Sequence, residues 1–360
     1  MEIIQNYVYL ADNQLAELQE IIAQKDFTKI ALLVDENTHR YCYPLIRDFL
    51  PKHQIIEIPS GEEHKNLQTC THIWEEMTKA GLDRKSLLIN LGGGVVGDMG
   101  GFCAATYKRG IAFIQVPTTL LAQVDASVGG KLGIDFQGFK NHIGVFQEPE
   151  LVWIDTTFLK TVSESELRSG FAEIIKHCLI ADAAQWKELL EKIDFSLGFQ
   201  ALIQQETQRI SQLVAHSVKI KAQIVEADPL EKGQRKLLNF GHTLGHAIET
   251  FYLFDPEKKL LHGEAIAVGM ICESWIAWQR GFLSAEEFQE ISAFIQSIYP
   301  KILLQEVDFQ KIIALTLQDK KNQGNQVLMT LLEGIGKGVY NIAVSEDEMR
   351  ASLKYYAHAD

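Results

Sequence analysis

The fold is decided by residues 86–98, which read SLLINLGGGVVGD. An apolar run of strand length leads into three consecutive glycines, and a fourth glycine and an aspartate follow. Glycine lets the backbone approach a ligand closely, and the first amides of the next helix favour an anion such as a pyrophosphate. The spacing matches neither the dinucleotide fingerprint GxGxxG nor a Walker loop. The stretch therefore predicts a strand, a ligand-binding turn and a helix, the alternative being a tight turn without a ligand.

Short apolar runs on both sides of this stretch alternate with helix-like segments. The predicted strands are 30–34, 55–59, 86–91, 112–116 and 151–155. A helix with apolar residues at helical spacing is predicted over 67–80, before Gly81. Near-continuous apolar strands separated by helices are typical of a parallel sheet that is covered on both faces. We therefore expect a Rossmann-like α/β nucleotide-binding domain over residues 1–158.

Long amphipathic segments replace this alternation after about residue 160. Ser163 and Glu166 have the capping-box spacing and begin a helix that continues to about Ile180. Further helices are predicted at 183–193, 198–227, 241–253, 263–280, 284–296 and 306–319, with one late hairpin at 327–332 and 339–344. Residues 159–360 are therefore expected to form a mostly α-helical domain.

Composition excludes several classes of protein. The 360 residues carry 34 basic and 47 acidic side chains, and the net charge of −13 argues against nucleic-acid binding but permits a local basic cleft. The five cysteines are widely spaced without a CxxC pair, which argues against a zinc ribbon or disulfide framework and favours a reducing compartment. Neither a signal peptide nor an apolar run of membrane length is recognisable. We expect a cytoplasmic protein that binds neither nucleic acid nor membrane.

Histidines and a carboxylate in the second half form a candidate metal site. Glu173 and Lys176 share one face of the helix that follows the capping box. His242 and His246 are four residues apart, and His262 begins another helix. Two histidines and one carboxylate from three segments are a ligand set typical of catalytic zinc. The alternative for each histidine alone is a packing or surface role.

Basic residues in polar or glycine-rich strings form a second set. They are Lys131, Lys140, Lys176, Lys221, Arg235 and the pair Lys320–Lys321. An anionic substrate would explain them, and the alternative is a solvated surface. Asp35 ends the first strong strand, where a carboxylate suits the ribose diol of NAD and repels the extra phosphate of NADP. The alternative for Asp35 is an ordinary turn aspartate.

Taken together, the motifs resemble those of the 3-dehydroquinate synthase family, one of the sugar phosphate cyclases. The strings that carry the resemblance are GGGVVGDMGGFCAATYKRG (92–110), QVPTTLLAQVDASVGGKLGID (115–135), KNHIGVF (140–146), ELRSGFAEIIKH (166–177), RKLLNFGHTLGHAIE (235–249) and LHGEAIAVGM (261–270). The resemblance implies conversion of 3-deoxy-D-arabino-heptulosonate 7-phosphate (DAHP) to 3-dehydroquinate and phosphate in the shikimate pathway. It also implies an NAD that is reduced and reoxidised within one turnover, and a Zn²⁺ or Co²⁺ ion.

The resemblance further implies a role for each matching position. The metal ligands would be Glu173, His242 and His262. The NAD contacts would be Asp35, Glu62, Lys65, Gly94, Val95, Val96, Gly97, Asp98, Thr118, Thr119, Asp125, Lys131 and Lys140. The catalytic and substrate contacts would be Lys131, Lys140, Asn141, Lys176, Lys221, Arg235, Asn239, His246 and Lys320, with Lys321 as the alternative to Lys320. His246 is the candidate for proton handling, and Arg109 would reach the neighbouring subunit of a homodimer.

Three alternatives stay open. A sister cyclase that makes 2-deoxy-scyllo-inosose or 2-epi-5-epi-valiolone would keep the NAD and metal residues and change the substrate contacts. The joint presence of Lys221, Arg235, Asn239 and His246 favours 3-dehydroquinate. A glycerol-dehydrogenase-like enzyme would release NADH and would not need so many lysines. A non-catalytic sugar-phosphate sensor would lack a metal ligand or a key lysine.

Overall fold

The computed structural model describes residues 1–137, 139–253, 255, 258–317 and 327–359. The chain divides into two compact units, one formed by Met1–Ser163 and Gln200–Ala222 and the other by Glu164–Phe199 and Gln223–Asp360. The sequence-based division at 158/159 puts all of 200–222 in the second domain, whereas the structure groups that segment with the first unit.

Hydrogen bonds explain why this segment belongs to the first unit. Ser211 Oγ donates to the Asp12 carboxylate, and the Gln5 amide donates to the carbonyl of Ala222. The amphipathic pattern of the segment is the same as that of the helices around it, so the sequence carried no sign of this grouping.

The secondary structure follows the predicted alternation closely. The strands are β1 Glu2–Ile4, β2 Val8–Leu10, β3 Ile30–Asp35, β4 Gln54–Ile58, β5 Leu87–Gly92, β6 Ala112–Pro117, β7 Lys131–Phe136, β8 Phe139–Phe146, β9 Leu151–Ile154, β10 Val327–Leu332 and β11 Gly338–Val344. The helices are α1 Leu15–Ala23, α2 Glu36–Tyr41, α3 Tyr43–Ile46, α4 Leu67–Lys79, α5 Gly94–Thr106, α6 Glu164–Ala181, α7 Ala183–Lys192, α8 Phe199–Gln205, α9 Thr207–Ala227, α10 His242–Tyr252, α11 His262–Gln279, α12 Ala285–Ile298, α13 Phe309–Thr316 and α14 Glu346–His358. Within the described residues, every helix is too short or too polar to cross a bilayer.

The first unit is built on a seven-stranded sheet in the order β1-β2-β9-β6-β5-β3-β4. All neighbouring pairs are parallel except β1 and β2, which confirms the predicted parallel α/β sheet. Successive residues of the central strand β5 face opposite sides of the sheet: Leu88 belongs to one buried cluster, and Leu87 and Ile89 belong to the other. Because both faces are buried, these strands are mostly apolar and were recognisable in the sequence. The buried polar residues Asn90 and Gln115 are exceptions, and they hydrogen-bond to each other.

The hairpin β7–β8 is a separate two-stranded sheet that the sequence analysis did not predict. β7 is buried only at Leu132, Gly133 and Ile134, and every residue of β8 is half-buried or exposed. Both strands contain a glycine, unlike the longer apolar runs of the main sheet. A Cβ at Gly101 of α5 would lie 2.4 Å from Leu132 Cδ2 of β7, so the hairpin packs closely against the helix that follows the glycine loop.

The second unit is mostly helical, with α6, α10 and α11 at its centre and one hairpin, β10–β11. The predicted helix 198–227 is divided in the structure into α8 and α9. Thr207 Oγ1 donates to the carbonyl of Ile203 at 2.9 Å, and a threonine hydroxyl bonded four residues back bends a helix at such a point.

Candidate nucleotide and metal sites

The glycine loop of the first unit presents the start of α5 without any capping side chain. Gly93 occupies the N-cap position and makes no side-chain hydrogen bond to the helix. A Cβ at Gly93 would lie 3.1 Å from Thr119 Cγ2, and one at Gly94 would lie 3.3 Å from Ala126 Cβ. Side chains at these glycines would therefore fill the space in front of the first amides. A helix start left uncapped in this way fits an anionic phosphate group.

Three of the residues predicted to contact NAD lie beside this loop. Thr118 is buried, and its amide donates to the carbonyl of Gly92 at 3.0 Å. Thr119 Oγ1 accepts a hydrogen bond from the amide of Ala122 at 3.2 Å and so begins a single π-helical turn, Ala122–Ala126. Asp125 lies in that turn. The structure thus brings both threonines and the aspartate to the carboxyl end of β6.

Lys221, from α9, joins the same region of the first unit. Its Nζ lies 2.7 Å from Asp125 Oδ1 and also donates to the carbonyl oxygen of Asp125. The side chain is only 7% exposed. Pairing with Asp125 therefore holds the ammonium group in one place.

Lys65 connects the glycine-loop helix with the hairpin. Its Nζ lies 2.5 Å from Asp98 Oδ2 on α5 and donates to Asn141 Oδ1 on β8 at 2.7 Å. Glu62 Oε1 lies 3.9 Å away. Burial would lower the pKa of Lys65, but Asp98 and Glu62 outweigh it and raise the pKa above its usual range. Lys65 is therefore a fixed cation among three other predicted site residues.

Asp135 is a residue of this network that the sequence analysis missed. Its amide donates to the carbonyl of Lys65 at 2.8 Å, and its Oδ1 accepts from the amide of Asn141 at 2.7 Å. The backbone of Asn141 has φ +49°, which this bond helps to hold. Lys140 Nζ lies 3.9 Å from Glu62 Oε1. An aspartate at the end of GGKLGID, just before a turn, was the available signal.

Asp35 has a structural role that is visible without any ligand. It is the N-cap of α2, where Oδ1 accepts from the amide of Thr38 at 2.7 Å and from Thr38 Oγ1 at 3.0 Å. Burial raises the pKa of Asp35, and the hydrogen bonds from Thr38 offset part of this increase. A capping role is thus established, and the ribose contact stays a prediction.

Arg109 lies in an unusual turn after α5. Lys108, Arg109 and Gly110 have φ values of +51°, +70° and +110°. Left-handed conformations cost energy for residues other than glycine and persist where the surrounding structure imposes them. Arg109 is exposed, and so is Lys131 at the start of β7.

The second unit brings the predicted metal ligands together. Glu173 is fully buried on α6, and its Oε1 lies 3.5 Å from His242 Nε2 and 3.6 Å from His262 Nε2. His246 contributes a third imidazole: ligand nitrogens of the three histidines all lie within 4.8 Å of one another. The ring centroid of His246 is 5.0 Å from that of His242 and 5.6 Å from that of His262.

The other nitrogen of each predicted ligand histidine faces an acceptor. His242 Nδ1 lies 2.9 Å from the carbonyl of Phe240, and His262 Nδ1 lies 3.4 Å from Glu249 Oε2. A proton on Nδ1 leaves Nε2 as the ligating nitrogen, which is the usual arrangement of outer groups around a metal site. Sequence reasoning missed Glu249, although it follows His246 by three residues and so shares a helix face with it.

The electrostatics of this cluster favour a cation. Burial would raise the pKa of Glu173, but Lys176 and the two histidines lower it well below its usual range. Burial would lower the pKa of His262, but Glu173 and Glu249 raise it to about 10. Glu173 Oε1 is buried without a hydrogen-bond partner in the part of the chain that is described. Glu173 Oε1 and the Nε2 atoms of His242 and His262 together form a ligand set that fits a divalent ion such as Zn²⁺.

Lys176 and Arg235 are buried cations of this unit, and Asn239 is close to Arg235 in sequence. Lys176 Nζ donates to Glu173 Oε2. Arg235 is 2% exposed, and its Nη1 donates to the carbonyl of Pro229 at 2.7 Å. Asn239 Nδ2 donates to Glu231 Oε1 at 2.9 Å. Lys320 and Lys321 lie outside the described residues.

Comparison with known proteins identifies relatives along nearly the whole chain. Residues 55–169 match the family description "3-dehydroquinate synthase N-terminal", and residues 170–322 match "3-dehydroquinate synthase C-terminal". A 3-dehydroquinate synthase from Parabacteroides distasonis is 38% identical over 352 residues, which are 97% of each chain.

Two solved structures are similar in fold. The 2-epi-5-epi-valiolone synthase from Streptomyces hygroscopicus subsp. jinggangensis, with NAD⁺ and Zn²⁺ bound, has a TM-score of 0.85 and 25% identity and covers 100% of this chain and 99% of its own. A 2-deoxy-scyllo-inosose synthase complexed with carbaglucose-6-phosphate, NAD⁺ and Co²⁺ has a TM-score of 0.83 and 24% identity, with 96% of each chain covered.

Proposed function

Because the chain belongs to the 3-dehydroquinate synthase family, we propose that its two sites carry out the reaction of that family, conversion of DAHP to 3-dehydroquinate and phosphate. The protein is an NAD- and divalent-metal-dependent enzyme. The observation that carries the proposal is the buried cluster of Glu173, His242 and His262 with Lys176 beside it. The glycine-loop helix with its uncapped first amides supports NAD binding.

When bound, NAD would take a hydride from the carbon that bears a substrate hydroxyl and later return it to the resulting carbonyl carbon, and the metal ion would polarise the oxygen on that carbon. Transient oxidation makes the neighbouring C–H acidic, phosphate leaves, the ketone is reduced, and the opened ring closes by an intramolecular aldol reaction. The chain itself must hold an anionic substrate through these steps and must manage protons. No net oxidation results, so NAD is regenerated at the end of each turnover.

Lys176 supports this chemistry as a charge partner of the metal site. Its ammonium group donates to Glu173 Oε2, so the Oε1 atom is the one that faces the histidines. A fully buried cation at this place also stabilises negative charge that develops on the substrate. His246, whose ring lies 5.0 Å from that of His242, is the residue we assign to proton handling.

Substrate contacts are proposed in each unit from the resemblance and the observed placement. They are Lys131, Lys140, Asn141 and Lys221 in the first unit and Lys176, Arg235, Asn239 and His246 in the second. Four lysines and an arginine suit a phosphate and a carboxylate better than they suit a small neutral alcohol.

An assay that follows phosphate and NADH together tests the proposal. With DAHP and catalytic NAD, phosphate should be released continuously while no NADH accumulates. NADH equal to the substrate consumed would move the protein to the dehydrogenases, and phosphate release without 3-dehydroquinate would indicate another cyclase.

Glu173→Gln should remove metal retention and activity while the fold persists, because a neutral amide is a much weaker zinc ligand. Glu191→Gln, the same substitution at an exposed position of α7, is the matched control. Elemental analysis of both purified variants decides the assignment. Stoichiometric zinc and normal turnover in Glu173→Gln would show that the ligand set is different.

We also propose a cytoplasmic homodimer in which Arg109 serves the partner's substrate site. All five cysteines are free and buried, which supports a reducing compartment. Arg109→Ala should weaken substrate binding more than NAD binding, because a planar guanidinium suits phosphate.

Mixing Arg109→Ala with Glu173→Gln should restore part of the activity after subunit exchange. A mixed dimer would hold one site with intact metal ligands and an intact arginine. Proven exchange without any recovery would show that Arg109 does not act across the interface.

A further inference from the structure

Glu273 is a fully buried carboxylate on α11 that the reaction as described does not use. Its Oε2 accepts from the amide of Gly241 at 2.6 Å. Its Oε1 accepts from the amides of Thr243 and Leu244 at 3.1 and 3.2 Å. These are the amides at the N-cap and in the first turn of α10, where a helix has no partners of its own. Glu273 therefore caps α10 from a neighbouring helix.

The start of α10 has no side chain of its own that could provide this cap. Gly241 is the N-cap residue, with φ +77°, and a Cβ there would lie 2.5 Å from Met270 Cγ. On the facing side, a Cβ at Gly269 would lie 1.9 Å from the carbonyl oxygen of Gly241. The two helices are therefore in backbone contact at this point, and the usual Ser, Thr, Asp or Asn cap cannot fit.

The capped segment also sets the position of a predicted metal ligand. His242 is the first residue of α10, between the amides of Gly241 and Thr243 that Glu273 holds. The carbonyl that faces His242 Nδ1 belongs to Phe240, in the same turn. A shift of this turn would therefore move the His242 backbone and its ring acceptor together.

We propose that Glu273 is a positioning residue of the metal site: by holding the first turn of α10, it keeps His242 Nε2 directed at the ligand position beside Glu173. The inference rests on the metal site proposed above and not on the identity of the substrate. Glu249 faces a histidine nitrogen directly. Glu273 would instead act on the site through the backbone of α10.

Glu273→Gln is the sharpest perturbation because it changes one oxygen to an NH₂ group. The two carboxylate oxygens accept from different amides, so the amide side chain must lose either the bond from Gly241 or the pair from Thr243 and Leu244. Loss of an outer-sphere partner typically lowers metal affinity by about 10–100-fold, and we expect a loss in that range.

Glu287→Gln is the matched control in the same unit. Glu287 is also a carboxylate that accepts from two backbone amides: Oε2 accepts from Ser284 at the start of α12 at 2.8 Å, and Oε1 accepts from Ile335 in the loop between β10 and β11 at 3.2 Å. It caps α12, which carries none of the predicted ligands. The control should lose stability as Glu273→Gln does, but its metal affinity should equal that of the wild type.

The experiment titrates Co²⁺ alone into metal-free wild type and both variants, with a competing chelator and with the visible absorption of Co²⁺ recorded. Weaker binding and an altered spectrum in Glu273→Gln, with neither change in Glu287→Gln, would support the proposal. Wild-type affinity and spectrum in Glu273→Gln would overturn it, as would equal losses in both variants. Should Glu273→Gln fail to fold, Glu273→Asp, which keeps the charge, decides by the same titration.

The outcome is separable from that of the proposed function. A wild type that binds Co²⁺ tightly but releases no phosphate from DAHP would refute the proposed reaction and leave the role of Glu273 standing. Normal phosphate release by the wild type, together with unchanged Co²⁺ binding in Glu273→Gln, would support the proposed reaction and refute the role of Glu273.

Discussion

Lys65→Met tests whether the network beside the glycine loop is held by charge. In the wild type the Lys65 ammonium group lies 2.5 Å from Asp98 Oδ2 and 3.9 Å from Glu62 Oε1. Methionine keeps most of the buried stem and removes the cation. The carboxylates of Asp98 and Glu62 then lose their nearest compensating charge, and Asn141 Oδ1 loses its donor.

The magnitude follows from distance and burial. At an effective dielectric constant of about 20, opposite charges at 2.5 Å attract by about 6.6 kcal/mol, but desolvation of both groups offsets much of this. Removal of one partner of a buried pair typically costs about 3–5 kcal/mol. Since 18% of the Asp98 side chain is exposed, we expect Lys65→Met to lower the free energy of unfolding by about 3 kcal/mol, the lower end of this range.

The deficit should depend on pH. Burial already raises the pKa of Asp98, and Lys65 opposes that shift, so the pKa rises further in Lys65→Met. A carboxyl with a raised folded pKa binds its proton in the native state first, so stability increases as the pH falls through that value. The difference in free energy of unfolding between Lys65→Met and wild type should therefore become smaller as the pH falls through the raised pKa of Asp98.

A double-mutant cycle with Asp98→Asn provides the assay, with urea unfolding followed by circular dichroism. Asp98→Asn removes the carboxylate whose charge Lys65 compensates, so the double variant should be more stable than the sum of the single losses predicts by at least about 1.5 kcal/mol. Additive losses, or a Lys65→Met deficit that does not change with pH, would refute the electrostatic account of this network.

Two further predictions concern packing and pH. The Cβ of Gly100→Ala would lie 2.0 Å from Asn90 Oδ1 and would displace α5. We expect the free energy of unfolding to fall by about 2 kcal/mol, after the helix-propensity gain of about 1 kcal/mol is subtracted. The displacement of α5 should also weaken NAD binding. Thermal unfolding and an NAD titration check this, and a wild-type melting temperature would contradict it. Arg280→Ala should lower the free energy of unfolding by about 1 kcal/mol near neutral pH, discounted for partial exposure. The Arg280 guanidinium, helped by hydrogen bonds from Ser345, lowers the pKa of Glu348 from 4.5 to about 2. That stability is present above pH 4.5 and lost as the pH falls towards 2, so the two proteins should converge in an acid titration of unfolding.

The sequence predicted those parts of the fold whose residues are buried on both sides. The strands β3, β5 and β6 are mostly apolar because both faces of the sheet are covered. The hairpin β7–β8 carries no such pattern, since its strands mix apolar and polar residues and include glycines. Its place in the fold depends on close packing against α5, which periodicity does not report.

The candidate metal site was predictable to a similar degree, for a different reason. Glu173, His242 and His262 belong to residue types that bind zinc, so their chemistry is visible in a single sequence. Their convergence depends on the packing of α6 against the consecutive helices α10 and α11, which follow it only after α7, α8 and α9. The nearness of His246 to the same nitrogens is a result of that packing.

The residues that could not be recognised from the sequence are mainly carboxylates that hold other residues in position. Asp135 fixes the backbone of Asn141, and Glu273 fixes the turn that carries His242. Asp35 is the converse case, a predicted ligand contact whose visible partner is Thr38 in its own helix. In a chain with 47 acidic residues, residue type cannot distinguish a carboxylate that binds a ligand from one that positions a ligand-binding group. The distinction lies in the donor: a carboxylate bonded to backbone amides stabilises a conformation, whereas one that faces imidazole nitrogens, as Glu173 does, holds charge where a cation can bind.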